Sequence, residues 1–306
     1  MNYQYRLFGL NVESEIPFFD FPTHEGVPDV CIRYGSAPKY LSEAGKKGKD
    51  FQISSNEVIF TIDKVARYYV SNGCRILLEP FHRAKKEDIL LFLMGSAMGA
   101  LLYQRNILPL HGSSVRFDDE CIIFIGPTGI GKSTIAAGFC QRGYRPLADD
   151  ICALSVENHT KSRVIPGIPQ LKLWEDTLSK LETKRHNLKS VRIEQDKVKY
   201  YLPVKIIEDG PIPVKIIGVL KAVDRPQIEI IQLKGMEKIE ALIDNTYRVE
   251  YLNKLGMKEK HFQQCASIAK NTPVFKVTRP KKLFLLEELM DLVQKRLFLR
   301  NSYPLE

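Results

Sequence analysis

Most of the features that would mark an extracellular, metal-clustered or membrane-spanning protein are missing from this sequence. Its six cysteines, at 31, 74, 121, 140, 152 and 265, make no C-x-x-C pair and no metal-ligand spacing. Neither a disulfide framework nor a zinc site is therefore expected, and the thiols read as reduced and mostly buried. Long apolar runs are absent too. The uncharged stretch from Ile89 to Tyr103 has fifteen residues, short of the roughly 20 that span a bilayer. Its Gly95, Ser96, Ala97, Gly99 and Ala100 suggest a helix packed closely inside the protein. The N-terminus, M-N-Y-Q-Y-R-L-F-G-L, lacks the apolar core of a secretory signal. A cytoplasmic chain with no membrane span is expected. Zinc-finger spacing, an RNP-type aromatic motif and long basic runs are also lacking, which argues against nucleic acid as partner. Tryptophan occurs once, at 174, and is expected to be a packing residue. No internal repeat or low-complexity tract is visible.

What is present is enough apolar material for one large or two ordinary domains, 44% of 306 residues. The formal charge of +9 favours an anionic partner without choosing one. The stretch from Cys121 to Asp150 narrows the choice. An apolar strand, C-I-I-F-I, leads into Gly126, Pro127, Thr128, Gly129, Ile130, Gly131, Lys132, Ser133 and Thr134, which satisfy G-x-x-x-x-G-K-[ST]. Glycines at 126, 129 and 131 let the backbone wrap a polyphosphate with its N–H groups. A helix predicted over 132–142 points its positive end at the anion. Lys132 can reach the outer phosphates, and the Ser133 hydroxyl can hold a magnesium ion.

Residues 1–84 read as a small β-rich lobe of short strands, at 3–10, 30–34, 51–53, 58–62 and 67–70, separated by prolines and the G-K-K-G-K-D turn at 45–50. Residues 85–306 read as the phosphate-loop domain. A helix is predicted from Lys85 to Arg105, with Glu87 and Asp88 in its first turns. Two strands around Asp118, Asp119 and Glu120 form a predicted hairpin whose second arm carries the loop. Further helices are expected near 175–184, 235–246 and 247–270, and strands at 151–156, 214–222, 228–233 and 273–277. A final amphipathic helix carries Leu283, Leu286, Leu289, Leu292 and Val293 close to one face.

Asp149 and Asp150 follow Lys132 by 17 and 18 positions. One short helix and one strand fill that gap, which predicts that the carboxylates emerge from the strand beside the loop strand. Adjacent carboxylates can divide two tasks, proton acceptance and Mg²⁺ binding. Neighbours on a strand face opposite ways, so both reach one site only near a strand end. His111, at the start of the hairpin, is a further candidate at the phosphate end. Lys172, Arg185, Lys199 and Lys205 are candidate contacts for phosphate or an acidic peptide.

Three motifs, H-G-S-S-V at His111, G-P-T-G-I-G-K-S-T at Gly126 and Y-R-P-L-A-D-D ending at Asp150, resemble the catalytic core of HPr kinase/phosphorylase and its relatives. That resemblance implies an α/β (α+β) phosphate-loop core like that of ATP-dependent phosphoenolpyruvate carboxykinase. It further implies ATP and Mg²⁺ as cofactors, with Asp149 as general base for a serine hydroxyl. Ser133 and Asp150 would lie at the metal, and His111 near the transferred phosphoryl group. After Asp150 the family's E-[IL]-R-G segment has no counterpart, and P-G-I-P-Q-L-K-L-W stands in its region. The L-P-L-H-G, P-G-x-P-x-L-K-L-W and L-P-V pieces resemble the HPr-kinase-like enzymes of peptide biosynthetic clusters. Among those, lasso-peptide kinases phosphorylate the C-terminal serine of a precursor. A peptide substrate with an acceptor serine is thereby implied, with HPr itself, or nucleotide-dependent peptide binding without transfer, as alternatives. Homo-oligomerisation stays open.

Overall fold

Alternating apolar residues, broken by tight turns, shape most of the first eight strands. They are β1 (Tyr3–Leu7), β2 (Leu10–Ser14), β3 (Val30–Tyr34), β4 (Lys46–Lys47), β5 (Phe51–Ile53), β6 (Glu57–Ile62), β7 (Ala66–Ser71) and β8 (Arg75–Pro80). The structure, a computed structural model, describes residues 2–18, 21–41, 46–47, 51–156, 161–181, 188–190, 198–205, 210–281 and 283–298. One sheet takes the order β1-β2-β3-β8-β7-β6-β5-β4. Phe8 and Gly9, at φ of 51° and 69°, turn the chain within the stretch expected as a single strand from 3 to 10, making β1 and β2 a hairpin. β2 and β8 are not among the expected strands. Each buries alternate side chains, Leu10 and Val12 in one, Ile76 and Leu78 in the other.

The helix expected over 85–105 is α1 (Lys86–Phe92), running through a π turn (Leu93–Ala97) into α2 (Met98–Gln104). Its Ile89, Leu93, Ala97 and Leu101 share one apolar cluster with Val12, Ile32, Tyr68 and Leu78 of the first sheet. A boundary after residue 84 therefore falls between a sheet and the helix that fills its face. Ile151, Ile165 and Tyr251 join the same cluster, so the two lobes share apolar packing.

The second sheet contains β9 (Leu108–Phe117), β10 (Glu120–Ile125), β11 (Arg145–Ser155), β12 (Arg163–Ile165), β16 (Ile212–Val223), β17 (Glu229–Gln232) and β18 (Val274–Pro280). β9 and β10 form the expected hairpin. β10 also pairs in parallel with β16, and the short β12 links β11 to β16, so five strands close on themselves. The acidic pair is not on the neighbour of the loop strand. β9 lies between, bonded to β10 on one side and β11 on the other, and aligns Asp149 with Ser113 and Ser113 with Phe124.

The remaining helices are α3 (Lys132–Gln141), α4 (Glu175–Lys180), α5 (Met236–Asp244), α6 (Glu250–Leu255), α7 (Lys258–Asn271) and α8 (Leu286–Val293). β10 is buried on both faces, as a strand between helical layers must be. Ile122 and Phe124 pack with Ile135 and Phe139 of α3 and Met290 of α8. Cys121, Ile123 and Ile125 pack with Leu242 of α5 and Ile268 of α7. The expected continuous helix over 247–270 is divided by Gly256, at φ 71°. α4 ends at Lys180, and the rest of its expected range lies outside the described residues except Leu181. The leucine stripe buries Leu286, Leu289 and Val293 and leaves Leu283 exposed. β13 (Gln170–Trp174), β14 (Lys189–Ser190) and β15 (Lys199–Pro203) form a third sheet in the order β13-β15-β14. Among the described residues, no helix is long and apolar enough to cross a membrane.

Candidate functional site

The loop between β10 and α3 is held open by backbone conformations that side chains resist. Gly126 sits at φ 150°, where an added Cβ would lie 2.9 Å from the Leu220 carbonyl oxygen. Gly129 and Gly131 follow at φ 80° and 109°. Among the described residues, the N–H groups of Gly129, Gly131, Lys132 and Ser133 find no acceptor within the chain. A row of free donors at the start of a ten-residue helix is a cradle for an anion. Lys132, 6% exposed, folds back on the loop and donates to the carbonyl oxygens of Gly126 and Pro127 at 2.8 and 2.9 Å. Burial lowers its pKa to about 8, against the pull of Asp150 and Asp149.

The carboxylates meet the loop through Ser133. Its hydroxyl donates to Asp149 Oδ1 at 2.8 Å, and Ser113 Oγ donates to the same oxygen. The backbone N–H of Lys172 supplies Asp149 Oδ2 at 2.7 Å. Three donors on a carboxylate with about four lone-pair positions leave room for one more. Burial nonetheless raises the Asp149 pKa, with Ser113 and Lys172 opposing. Asp150 binds the Lys172 ammonium at 2.7 Å. Burial alone would push its carboxyl up, but Lys172 and then His111 outweigh that and hold it at about 2.

Both aspartates lie within β11, well inside the strand, yet both line one cavity. The reason is local. Asp150 takes a left-handed φ of 69°, and the register of β11 against β9 shifts between Pro146 and Ala148. The kinked strand no longer sends successive side chains to opposite faces. A non-glycine residue in this conformation is strained and persists where its surroundings over-determine it. Here the Asp150 carbonyl oxygen accepts from His111 Nδ1 at 3.1 Å. That bond places the proton on Nδ1 and leaves Nε2, 3.4 Å from Thr128 Oγ1, as an acceptor. Burial and then Lys132 lower the His111 pKa, favouring the neutral imidazole.

The cavity over the loop has a volume of about 390 Å³, within the usual range for small-ligand sites. Several of its lining residues were not singled out by the motif. Arg279, on β18, donates from Nε and Nη2 to the Ile130 carbonyl oxygen at 3.0 and 2.8 Å and so fixes the loop from beneath. Lys180 lies 4.3 Å from the Phe284 ring centroid, and Lys199 lies 4.2 Å from that of Trp174. Of the four candidate basic residues, Lys172 and Lys199 reach the cavity. Lys205 is exposed, and Arg185 lies outside the described residues. Alternation along β13 could have revealed Lys172, because Leu171 and Leu173 are buried and turn Lys172 and Trp174 the other way.

Among the described residues, no three His, Cys, Asp or Glu converge as a metal cage. The donors present still suit magnesium, which takes one or two carboxylates and completes its shell with water and substrate phosphates. The Ser133 proton is directed to Asp149, which leaves the oxygen lone pairs available to a cation.

Fold and site together define a mixed α/β protein with a basic, glycine-looped cavity facing two carboxylates. No protein-family model matches the chain, and no curated protein matches it. Among solved structures it is similar to the HPr(Ser) kinase/phosphatase from Coxiella burnetii, at 15% identity and a TM-score of 0.32, over 61% of this chain and 88% of that one. So loose a superposition carries no argument about activity.

Proposed function

We propose that this protein is an ATP- and Mg²⁺-dependent phosphotransferase that phosphorylates a serine hydroxyl of a peptide. The observation that carries the reading is the convergence of Ser133, Asp149 and Asp150 on one corner of the phosphate-loop cavity. ATP lies with its phosphates over 126–134, where the free N–H groups and Lys132 offset their charge. Magnesium, held by Ser133 and Asp150, supplies charge neutralisation for the phosphates when bound. Asp149 keeps one acceptor position for the incoming hydroxyl, and two serine hydroxyls already occupy its Oδ1. As the oxygen of the acceptor bonds to the terminal phosphorus, the bond to ADP breaks and the hydroxyl proton passes to Asp149. His111, neutral and oriented by the Asp150 carbonyl, lies beside the transferred group.

For the acceptor, the sequence pieces around P-G-I-P-Q-L-K-L-W favour the C-terminal serine of a lasso-peptide precursor. HPr is the second reading, because the three motifs from His111 to Asp150 resemble that family's core. Intact-mass measurement after incubation with Mg-ATP and either a serine-terminated precursor peptide or HPr separates them. One added phosphate on the peptide alone is expected. Addition to HPr alone reassigns the acceptor, and ATP binding with no phosphate on either refutes the transferase. Arg279→Ala removes the brace under the loop and is expected to weaken Mg-ATP binding by about tenfold, roughly 1.4 kcal/mol. Calorimetric affinity within twofold of the parent protein would exclude that role.

A further inference from the structure

A second chamber, of about 560 Å³, opens on the other side of His111 and Asp150. It shares those two residues, with Thr128, Lys172 and Lys199, with the phosphate-loop cavity. One wall is the π turn of the first lobe, at Gly95 and Ser96. The second is the segment 244–250 that follows α5, and Gly126, Pro127 and Thr128 of the loop line the side towards the first cavity. π turns recur at functional sites, and no step of ATP binding uses the π turn or the 244–250 segment.

The second wall is tied firmly to the reacting end of β9. The Asn245 carbonyl oxygen accepts the His111 N–H at 2.8 Å, Tyr247 N–H donates to the Pro109 oxygen at 2.9 Å, and Leu110 bridges Thr246. Tyr103 Oη donates to the Tyr247 oxygen at 2.6 Å. The Tyr247 ring fills space that only glycine leaves, since a Cβ at Gly95 would come within 2.9 Å of its hydroxyl oxygen and one at Gly99 within 3.1 Å of its ring. Arg248 then adopts a left-handed φ of 53°, a conformation uncommon outside glycine, asparagine and aspartate. Its guanidinium lies 5.9 Å from the Tyr247 ring centroid. The side chain is 43% exposed and loosely paired with Glu250, at 3.6 Å.

We propose that this chamber receives the phosphoryl acceptor and that Arg248 recognises a carboxylate carried close to the reacting hydroxyl. The inference rests on the phosphotransferase reading. Its grounds are the chamber's shared edge at Asp150 and His111, and a planar guanidinium beside the Tyr247 ring and Glu250 where a carboxylate can take two parallel hydrogen bonds. The formal charges of the lining cancel, which leaves no surplus positive charge to offset two negative ones. Lys172, Lys199 and Arg248 face Asp150, Asp244 and Glu250, so a single carboxylate suits the chamber better than a doubly charged phosphate. Arg248 is a specificity residue on this account, while the hydroxyl crosses the shared edge into the loop cavity, where proton removal stays with Asp149.

The test is saturation-transfer NMR with N-acetyl-L-serine and N-acetyl-L-serinamide, the loop cavity being filled by Mg²⁺ and a non-hydrolysable ATP analogue. The acid is expected to bind about tenfold more tightly than the amide, as a charge-assisted bidentate pair should. Arg248→Gln should erase that difference, and Arg248→Lys should retain part of it. Thermal midpoints and the affinity for the ATP analogue report whether each variant is folded. Equal binding of acid and amide, no binding of either, or selectivity that survives Arg248→Gln overturns the assignment. The two readings fail separately: acid selectivity without any phosphoryl transfer counts against the phosphotransferase, and transfer without acid selectivity counts against Arg248.

Discussion

Asp149→Asn is expected to lower phosphoryl transfer by about 10²- to 10⁴-fold, the usual worth of a positioned general base, while Mg-ATP affinity changes little. The substitution suits the site unusually well. An asparagine can present its oxygen to the Lys172 N–H, which Asp149 Oδ2 now accepts at 2.7 Å. Its NH₂ group then faces Ser113 and Ser133, whose hydroxyls can rotate to become acceptors. The fold keeps its hydrogen bonds, and only the capacity to take a proton is lost. Rapid-quench transfer measurements with calorimetric ATP binding separate the two effects. Full transfer in the variant would remove Asp149 from the mechanism. The pH profile offers a second check. Burial raises the Asp149 pKa and a base must be deprotonated, so the acid limb of kcat/KM should lie above the ordinary aspartate range and vanish in the variant. Lys132 must be charged, and in the free protein it loses its proton at about 8, so an alkaline limb is expected near there.

The parts of this site set by local sequence were legible, and those set by tertiary strain were not. The glycine spacing from Gly126 to Gly131 states the loop outright, since few other backbones need those φ values in that order. The hairpin into the loop could be read from the acidic turn at 118–120. That β9 intervenes between the loop strand and the carboxylates could not, because pairing partners depend on a closure completed by β12 and β16, about 50 to 100 residues later. Alternation predicts that Asp149 and Asp150 face apart, and the left-handed Asp150 breaks that rule. Arg279 carries no motif at all. Its role follows from a parallel strand that delivers it beneath Ile130. In the first lobe, the helix over 86–104 was visible as an apolar run, but its membership of the first sheet's core depended on which surface it met.

Lys172→Met should destabilise the protein by about 3 kcal/mol at neutral pH, because it strips a largely buried carboxylate of its counter-ion. The Lys172 and Asp150 side chains are 14% and 26% exposed, so water compensates only in part, which places the effect at the low end for a broken buried pair. Methionine preserves most of the apolar stem, and the Lys172 backbone still serves Asp149, so the loss isolates the ion pair. Its pH dependence has a definite sign. The Asp150 pKa is depressed to about 2 in the folded protein from about 3.9 in an unfolded chain. The pair's contribution is therefore complete above the unfolded value and disappears as pH falls towards 2. The gap between parent and variant should be widest near neutrality and should close through that acidic window, where a protonated Asp150 no longer needs Lys172. Urea denaturation at pH 7, pH 3 and pH 2 follows the gap from its full value through about half of it towards its loss. Asp150→Asn in the Lys172→Met background removes the orphaned charge and should recover more than half of the loss. A single variant within about 0.5 kcal/mol of the parent at pH 7, or a double variant no better than the single, would mean that Asp150 is stabilised by solvent or by His111 instead.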